Sequence, residues 1–215
     1  MTSIRILIYL VLLALGFLIG TVTNAATITN DGITISYEGE VVQSDVNKME
    51  EMLNNTGIKT VFLDSPGGNA MTGYQLGYLF HDKGIRLVIG GDASCFSACA
   101  IAFLGGEERT KLGLLGFHVA WTTNTESMSE GMKQGQVYGT ITAAYFFRMG
   151  YSLQLPYMIS MYTDKDTFLM LDVKDLNMFK LESMEDFIEL KDLPPLWASN
   201  RIAGPMRREL MIRGM

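Results

Sequence analysis

The segment GDASCFSACAIAFL, residues 91–104, joins two apolar elements of different kinds. The apolar run at residues 85–89 before it predicts a buried strand, and the small and apolar residues from Ala98 onward predict a buried helix. A serine at such a strand-to-helix turn, here Ser97, lies where helix N–H groups and the positive end of the helix dipole converge. That environment favours the negative charge that develops during attack on a carbonyl. Ser97 is therefore a candidate nucleophile, and a helix cap is the alternative.

The chain has two cysteines, Cys95 and Cys99, and they flank this serine. In an oxidising compartment the pair invites a disulfide, which the spacing permits only if Cys95 lies in the turn before the helix. Two small buried thiols are the alternative. Because no second Cys or His pair completes four ligands, the spacing does not predict zinc, and we expect neither a metal nor a cofactor.

The residues before this turn alternate between strand and helix patterns. Strands are predicted at residues 33–37, 60–63 and 85–89, with helical patterns at residues 46–53 and 71–80 between them. Strand, helix, strand, helix at this pace predicts an α/β fold of right-handed βαβ units around a mainly parallel sheet. The glycine pair Gly67-Gly68 follows the second strand, at the sheet edge where open α/β folds place their sites. Two glycines let the backbone approach a ligand closely, although a tight turn alone would also explain them.

The residues after the turn supply a candidate base. Residues 105–109 predict a polar turn, and residues 112–117 predict a strand that ends at His118. Of the two histidines, His81 ends a helix pattern and is expected in solvent. His118 lies at the same region of the sheet as Ser97, so it is the candidate proton acceptor, with a structural core histidine as the alternative.

The second half of the chain is helical and rich in methionine. Residues 128–149 predict a long helix, and Ser152 is a candidate cap for another over residues 155–161. Met side chains adapt to many shapes, so the long helix is expected in a subunit contact or in the core. The tail from residue 191 contains prolines and ends with arginines, as a peripheral arm or docking segment would.

The ends and the charge of the chain limit its compartment and partners. Residues 1–25 combine a short apolar core with Thr23-Asn24-Ala25, which predicts a signal peptide, with an uncleaved membrane anchor as the alternative. We expect one domain at 26–190, a tail at 191–215, and export to the periplasm or the medium. Residues 26–215 carry 16 basic and 23 acidic residues, a net charge of −7, which argues against a nucleic-acid partner.

Four segments in this order resemble the proteolytic subunit of the Clp protease and its Clp/crotonase relatives. The segment LDSPGG at residues 63–68 resembles the oxyanion loop of that family, and residues 93–100 resemble its nucleophile turn. Residues 116–118 resemble its histidine segment, and residues 152–169 resemble the helix and acidic segment that deliver the third triad member. The resemblance covers residues 33–179 and implies a Clp/crotonase-like ββα superhelical fold with a protruding helical segment.

The resemblance also implies a role for each matching residue. Ser97 is the nucleophile, His118 takes and returns its proton, and Asp166 orients His118. The N–H groups of Gly68 and Ala98 form the oxyanion hole. Asp164 and Asp172 are rivals to Asp166, and Lys111 is the candidate base of a Ser-Lys dyad, a pairing that membrane-associated relatives use.

Some features depart from the cytosolic family. Cys99 replaces a small residue, Phe96 is bulkier than usual, and the interval from Ser97 to His118 is shorter. In having a cysteine-flanked serine and a predicted signal sequence, the chain resembles exported Clp-like proteins of bacteria. An exported protein has no ATP supply, so no ATPase partner is expected.

These observations predict an exported serine endopeptidase, independent of ATP, that acts on peptides or unfolded proteins. A homo-oligomer is expected from the long helix, and a membrane contact only if the signal is uncleaved. A catalytically inactive binding or assembly protein on the same fold is the alternative. Crotonase-type acyl-CoA chemistry is a third interpretation, which the expected export disfavours.

Overall fold

A computed structural model describes residues 25–120, 127–181 and 202–203 of the chain. The predicted signal peptide, apart from its last residue, lies outside the described residues. So does the predicted tail, apart from Ile202 and Ala203. Both predictions, and the domain boundaries drawn from them, therefore stay predictions.

The described residues form nine strands and six helices. The strands are β1 (Thr27–Asn30), β2 (Ile35–Glu38), β3 (Thr60–Asp64), β4 (Arg86–Ile89), β5 (Ser94–Phe96), β6 (Glu108–Lys111), β7 (Leu114–Phe117), β8 (Phe168–Met170) and β9 (Ile202–Ala203). The helices are α1 (Asp45–Thr56), α2 (Ala70–Asp82), α3 (Ala98–Phe103), α4 (Met128–Arg148), α5 (Gln154–Tyr162) and α6 (Val173–Asn177).

The strands form two sheets that meet at the nucleophile turn. One sheet has the order β1-β2-β3-β4-β6 and is parallel except for the β1–β2 pair. The other has the order β5-β7-β8-β9, in which β5 and β7 are parallel. A parallel bridge between Ser65, just after β3, and Cys95 in β5 joins the two sheets. The predicted mixed α/β fold with a mainly parallel sheet is confirmed.

Helices α2 and α3 pack closely against each other beside these sheets. A Cβ on Gly73 would lie 2.5 Å from the carbonyl oxygen of Ala98, so only glycine allows this approach. Strand side chains such as Leu87, Ile89 and Phe117 are fully or almost fully buried, as is Phe103 of α3. The helix that begins at the candidate nucleophile therefore lies in the core, where packing fixes its position.

Helix α4 leaves the core over most of its length. Its first buried residue is Tyr145, and upstream of it Met128 and Met132 are largely exposed. This is the protruding helical segment that the family resemblance implied. Within the described part of the chain, no helix has both the length and the apolar character needed to cross a bilayer.

Two local predictions are wrong. Residues 105–109 were expected to form a polar turn, but Glu108 and Arg109 begin β6, where parallel pairing with β4 outweighs their polar character. Ser152 was expected to cap the helix after it, but Leu153 occupies the cap position. The Ser152 hydroxyl is buried and has no hydrogen-bond partner among the described residues.

A buried carboxylate links the first sheet to the loop that follows β2. Asp45, at the start of α1, is 2% exposed and accepts hydrogen bonds from the Tyr37 hydroxyl (2.7 Å) and the backbone N–H of Val42 (2.8 Å). The neighbouring Val41 accepts a hydrogen bond from Asn69 N–H and donates its own N–H to the Gly67 carbonyl. Asp45 therefore supports the glycine loop through the adjacent backbone.

Replacing this carboxylate should destabilise the protein. Asp45→Ala leaves the Tyr37 hydroxyl and the Val42 N–H unpaired, and each unmet buried group costs about 1–3 kcal/mol. We expect the free energy of unfolding, measured by urea denaturation, to fall by at least that amount. Glu50→Ala, an exposed carboxylate on the same helix, is the matched control and should change it little. Equal stability of the two variants would contradict the role assigned to Asp45.

Candidate active site

The backbone at Ser97 adopts a conformation that L-residues rarely take. Its φ is 55° and its ψ is −119°, and it is the only non-glycine residue with positive φ among those described. Such a conformation costs about 1–3 kcal/mol and persists only where its surroundings hold it. Here the Ser97 N–H donates to the Gly116 carbonyl (2.9 Å) and its carbonyl accepts from Ile101 (3.0 Å). The turn therefore presents the serine side chain between β5 and α3, as a nucleophile elbow does.

A disulfide joins Cys95 and Cys99 across this turn, with their Cα atoms 5.2 Å apart. Cys95 lies in β5, before the helix, which is the arrangement that the spacing requires. Both cysteines are at most 2% exposed, whereas Ser97 is partly exposed. The bond therefore braces the buried side of the turn and leaves the serine accessible.

The hydroxyl of Ser97 and the ring of His118 form a hydrogen bond. Ser97 Oγ lies 2.7 Å from His118 Nε2, within the range of a strong hydroxyl hydrogen bond. The parallel pairing of β5 and β7, with Phe96 opposite Gly116, brings the ends of the two strands together. The contact between candidate nucleophile and candidate base that the sequence predicted is thus present in the structure.

His118 is held in an apolar environment on one side. The Phe168 ring packs against the imidazole with 4.7 Å between ring centroids, and Phe168 in turn packs against Phe96. Burial lowers the pKa of His118 below its usual value of 6.5, and this outweighs the Asp164 carbonyl contact and the charges of Asp164 and Asp166, which raise it. The imidazole is therefore neutral at pH 7 and able to accept a proton.

The second ring nitrogen of His118 faces the acidic segment between α5 and β8. His118 Nδ1 lies 3.3 Å from the main-chain carbonyl oxygen of Asp164. The carboxylate of Asp166, the residue that the resemblance assigns to the triad, instead contacts the ammonium of Lys165. Among the described residues, the imidazole thus has a carbonyl and not a carboxylate as its hydrogen-bond partner at Nδ1.

The glycine loop lies directly against the serine. A Cβ built on Gly67, whose φ is 98°, would lie 2.6 Å from both the Phe96 carbonyl oxygen and Ser97 Cβ. Neither Gly68 nor Ala98 donates its backbone N–H to an acceptor in the part of the chain that the structure describes. Ala98 follows the serine directly and Gly68 follows Gly67, so their N–H groups are the candidate donors of an oxyanion hole.

Residues that the sequence analysis did not single out hold this loop to the nucleophile turn. Ser65 donates its N–H to the Ser94 carbonyl (2.6 Å), and its own carbonyl accepts from Phe96 N–H (3.0 Å). The buried hydroxyl of Ser65 accepts a hydrogen bond from Gly67 N–H (3.1 Å), while Asp64 accepts one from Ser94 N–H (2.9 Å). The sequence signal for this role was the position of Ser65 between strand β3 and the two glycines.

The other candidate bases, Lys111 and His81, have no recorded contact with Ser97 among the described residues. Lys111 forms an ion pair with Asp172, and Ser97 is engaged by His118, so the described contacts favour a histidine over a lysine as the base. His81 lies exposed near the end of α2. Among the described residues, no three His, Cys, Asp or Glu side chains come together as a metal site.

No protein-family model and no curated protein sequence matches this chain. Solved structures do match it. A variant of ClpP1 from Listeria monocytogenes is 18% identical with a TM-score of 0.50, over 73% of this chain and 95% of that one. ClpP1 from the same organism is 15% identical with a TM-score of 0.48, over 70% of this chain and 88% of that one. A membrane-bound stomatin-specific protease mutant is 14% identical with a TM-score of 0.49, over 69% of this chain and 75% of that one. At 18% identity the likeness to the ClpP1 variant concerns the fold, and this chain has the Clp/crotonase-like α/β fold of ClpP-type proteases.

Proposed function

We propose that this protein is a serine endopeptidase that works without ATP. The observation that carries the proposal is the 2.7 Å hydrogen bond between Ser97 Oγ and His118 Nε2. A serine hydroxyl is a weak nucleophile unless a neighbouring base accepts its proton, and His118 is neutral and in contact. The fold shared with ClpP-type proteases agrees with this chemistry.

The reaction would proceed through two tetrahedral intermediates. As Ser97 Oγ attacks the carbonyl carbon of a peptide bond, its proton moves to His118 Nε2. The resulting oxyanion would be stabilised by the N–H groups of Gly68 and Ala98, and collapse of the intermediate transfers the proton from His118 to the leaving amine. A water molecule then attacks the acyl carbon while His118 Nε2 takes its proton, and collapse of the second tetrahedral intermediate breaks the ester bond and returns that proton to Ser97 Oγ. The acidic segment beside His118 Nδ1 supplies the orienting group.

The substrates we propose are peptides and unfolded protein segments. Ser97 lies at a turn between two sheets, where an extended substrate backbone would bind. The predicted signal sequence supports an exported enzyme, periplasmic or secreted, that encounters such chains without an ATP-driven unfoldase. Homo-oligomer formation through the exposed face of α4 is part of the same proposal. An inactive binding protein is less favoured, because the disulfide lies beneath the turn and leaves Ser97 in contact with His118.

Removing the nucleophile should abolish proteolysis without unfolding the protein. Ser97→Ala is expected to lower kcat for a fluorogenic unfolded-protein substrate by roughly 10⁴-fold or more. The circular dichroism spectrum should not change, because the side chain is small and partly exposed. Ser36→Ala, in β2, is the matched control and should keep wild-type activity. Proteolysis by Ser97→Ala at the wild-type rate would refute the assignment.

The activity should be lost at acidic pH through protonation of His118. Because burial holds the pKa of His118 below 6.5, the imidazole is neutral at pH 7 and becomes charged only below that value. We expect kcat/KM to be level near pH 7 and to fall with a midpoint below pH 6.5. His81→Gln, which removes the only other histidine, should leave the midpoint where it is. A midpoint above 6.5 would be inconsistent with this account.

The disulfide should support both stability and activity. Closing its short loop constrains the unfolded chain by about 2 kcal/mol, and the bond braces the positive φ of Ser97. The double variant Cys95→Ala/Cys99→Ala is expected to unfold at lower urea and to show a lower kcat than the wild type, with a smaller change in KM. Kinetics under non-reducing conditions test this, and an unchanged kcat would show that the turn needs no covalent brace.

A further inference from the structure

The loop between α5 and β8 is organised around the side chain of Asp164. Its Oδ1 accepts hydrogen bonds from Asp166 N–H (2.7 Å), Thr167 N–H (2.9 Å) and the Thr167 hydroxyl (3.0 Å). The Asp164 N–H donates to that same hydroxyl oxygen (2.8 Å). These contacts close residues 164–167 into a tight turn, and they commit the carboxylate of Asp164 to its own loop.

The same loop is anchored to the residue that follows the histidine. The hydroxyl of Thr163 accepts a hydrogen bond from Val119 N–H (2.9 Å) and donates one to the Ile159 carbonyl in α5 (2.6 Å). Val119 follows His118 directly, so this link fixes the distance between the imidazole and the loop. In this closed turn, the main-chain carbonyl oxygen of Asp164 lies 3.3 Å from His118 Nδ1.

We infer that the main-chain carbonyl of Asp164 orients His118, and that the Asp164 carboxylate is a positioning residue that shapes the loop presenting it. The inference rests on the proposed function, in which His118 is the base. A carbonyl can only accept, so Nδ1 carries the hydrogen and Nε2 keeps its lone pair directed at Ser97. The tautomer needed for proton abstraction is thereby set without a carboxylate at the third position.

The charges near the imidazole agree with this arrangement. Asp164 and Asp166 are both exposed, so solvent screens their effect on His118. Burial against Phe168 outweighs them, and the pKa of His118 lies below 6.5. A buried carboxylate hydrogen-bonded to the ring would instead favour the charged imidazolium and raise that pKa.

Three variants separate the two carboxylates. Asp166→Asn removes the charge that the family resemblance places in the triad. Asp164→Ala removes the acceptor that closes the loop, and Asp164→Asn restores an acceptor oxygen at the same place. If Asp164→Ala does not fold, Thr167→Val serves as a second loop variant. It removes the hydroxyl that accepts a hydrogen bond from the Asp164 N–H and donates one to the Asp164 carboxylate.

The tautomer and pKa of His118 can be read by ¹⁵N NMR of histidine-labelled protein. The chain has two histidines, so His81→Gln assigns the spectrum. We expect wild type and Asp166→Asn to show the hydrogen on Nδ1, with kcat of the two proteins within about threefold. Asp164→Ala should show a mixture of tautomers and a kcat reduced roughly 10- to 100-fold with little change in KM, and Asp164→Asn should restore both.

The opposite pattern would overturn the inference. In that case Asp166→Asn would lose the Nδ1–H tautomer and its activity, while Asp164→Ala would keep both. The NMR reading does not depend on catalysis. If the wild-type protein hydrolyses no peptide yet Asp164→Ala loses the Nδ1–H tautomer and Asp166→Asn keeps it, the proposed function fails and the geometric inference stands.

Discussion

The hydrogen bond between Ser97 and His118 depends on two neighbouring strands ending together. Strands β5 and β7 are parallel partners, so the residues that follow them share one sheet edge. The serine that contacts the imidazole has a positive φ, a conformation that costs about 1–3 kcal/mol and must be held by its surroundings. The features around the turn supply that support: a disulfide below it, a backbone hydrogen bond to Gly116, and a packed helix behind it.

The support extends outward from the turn through successive hydrogen bonds. Backbone hydrogen bonds from Ser65 tie the glycine loop to the strand before Ser97. Val41 holds the other side of that loop, and the buried carboxylate of Asp45 holds the adjacent Val42. Catalytic geometry in the proposed mechanism therefore depends on a buried acid that is far from the serine in the sequence and has no part in the chemistry.

The sequence predicts the elements whose signals are local. His118 and the glycine loop each follow an apolar strand that the sequence predicts, at a sheet edge where sites form, which is why they could be proposed as parts of one site. The short strand β5 directly before Ser97 was not predicted, because its three residues, Ser94–Phe96, carry no periodic signal. The strand at Glu108–Lys111 was not predicted either, because its polar residues gain their strand conformation from pairing with β4. The partner of His118 Nδ1 was not predictable either. Whether a carboxylate or a carbonyl faces the ring depends on how residues 164–167 turn, and the hydrogen bonds that decide this leave no periodic pattern.

The claim that Ser97 is activated can be tested directly by its reaction with a fluorophosphonate, followed by peptide mapping with mass spectrometry. We predict a single adduct on Ser97 in the folded protein, formed at pH 7.5 and abolished when the protein is unfolded in urea beforehand. Loss of the adduct on unfolding would show that the fold, and not the sequence around the serine, creates the reactivity. The absence of any adduct on Ser97, or labelling spread over several exposed serines, would contradict the account.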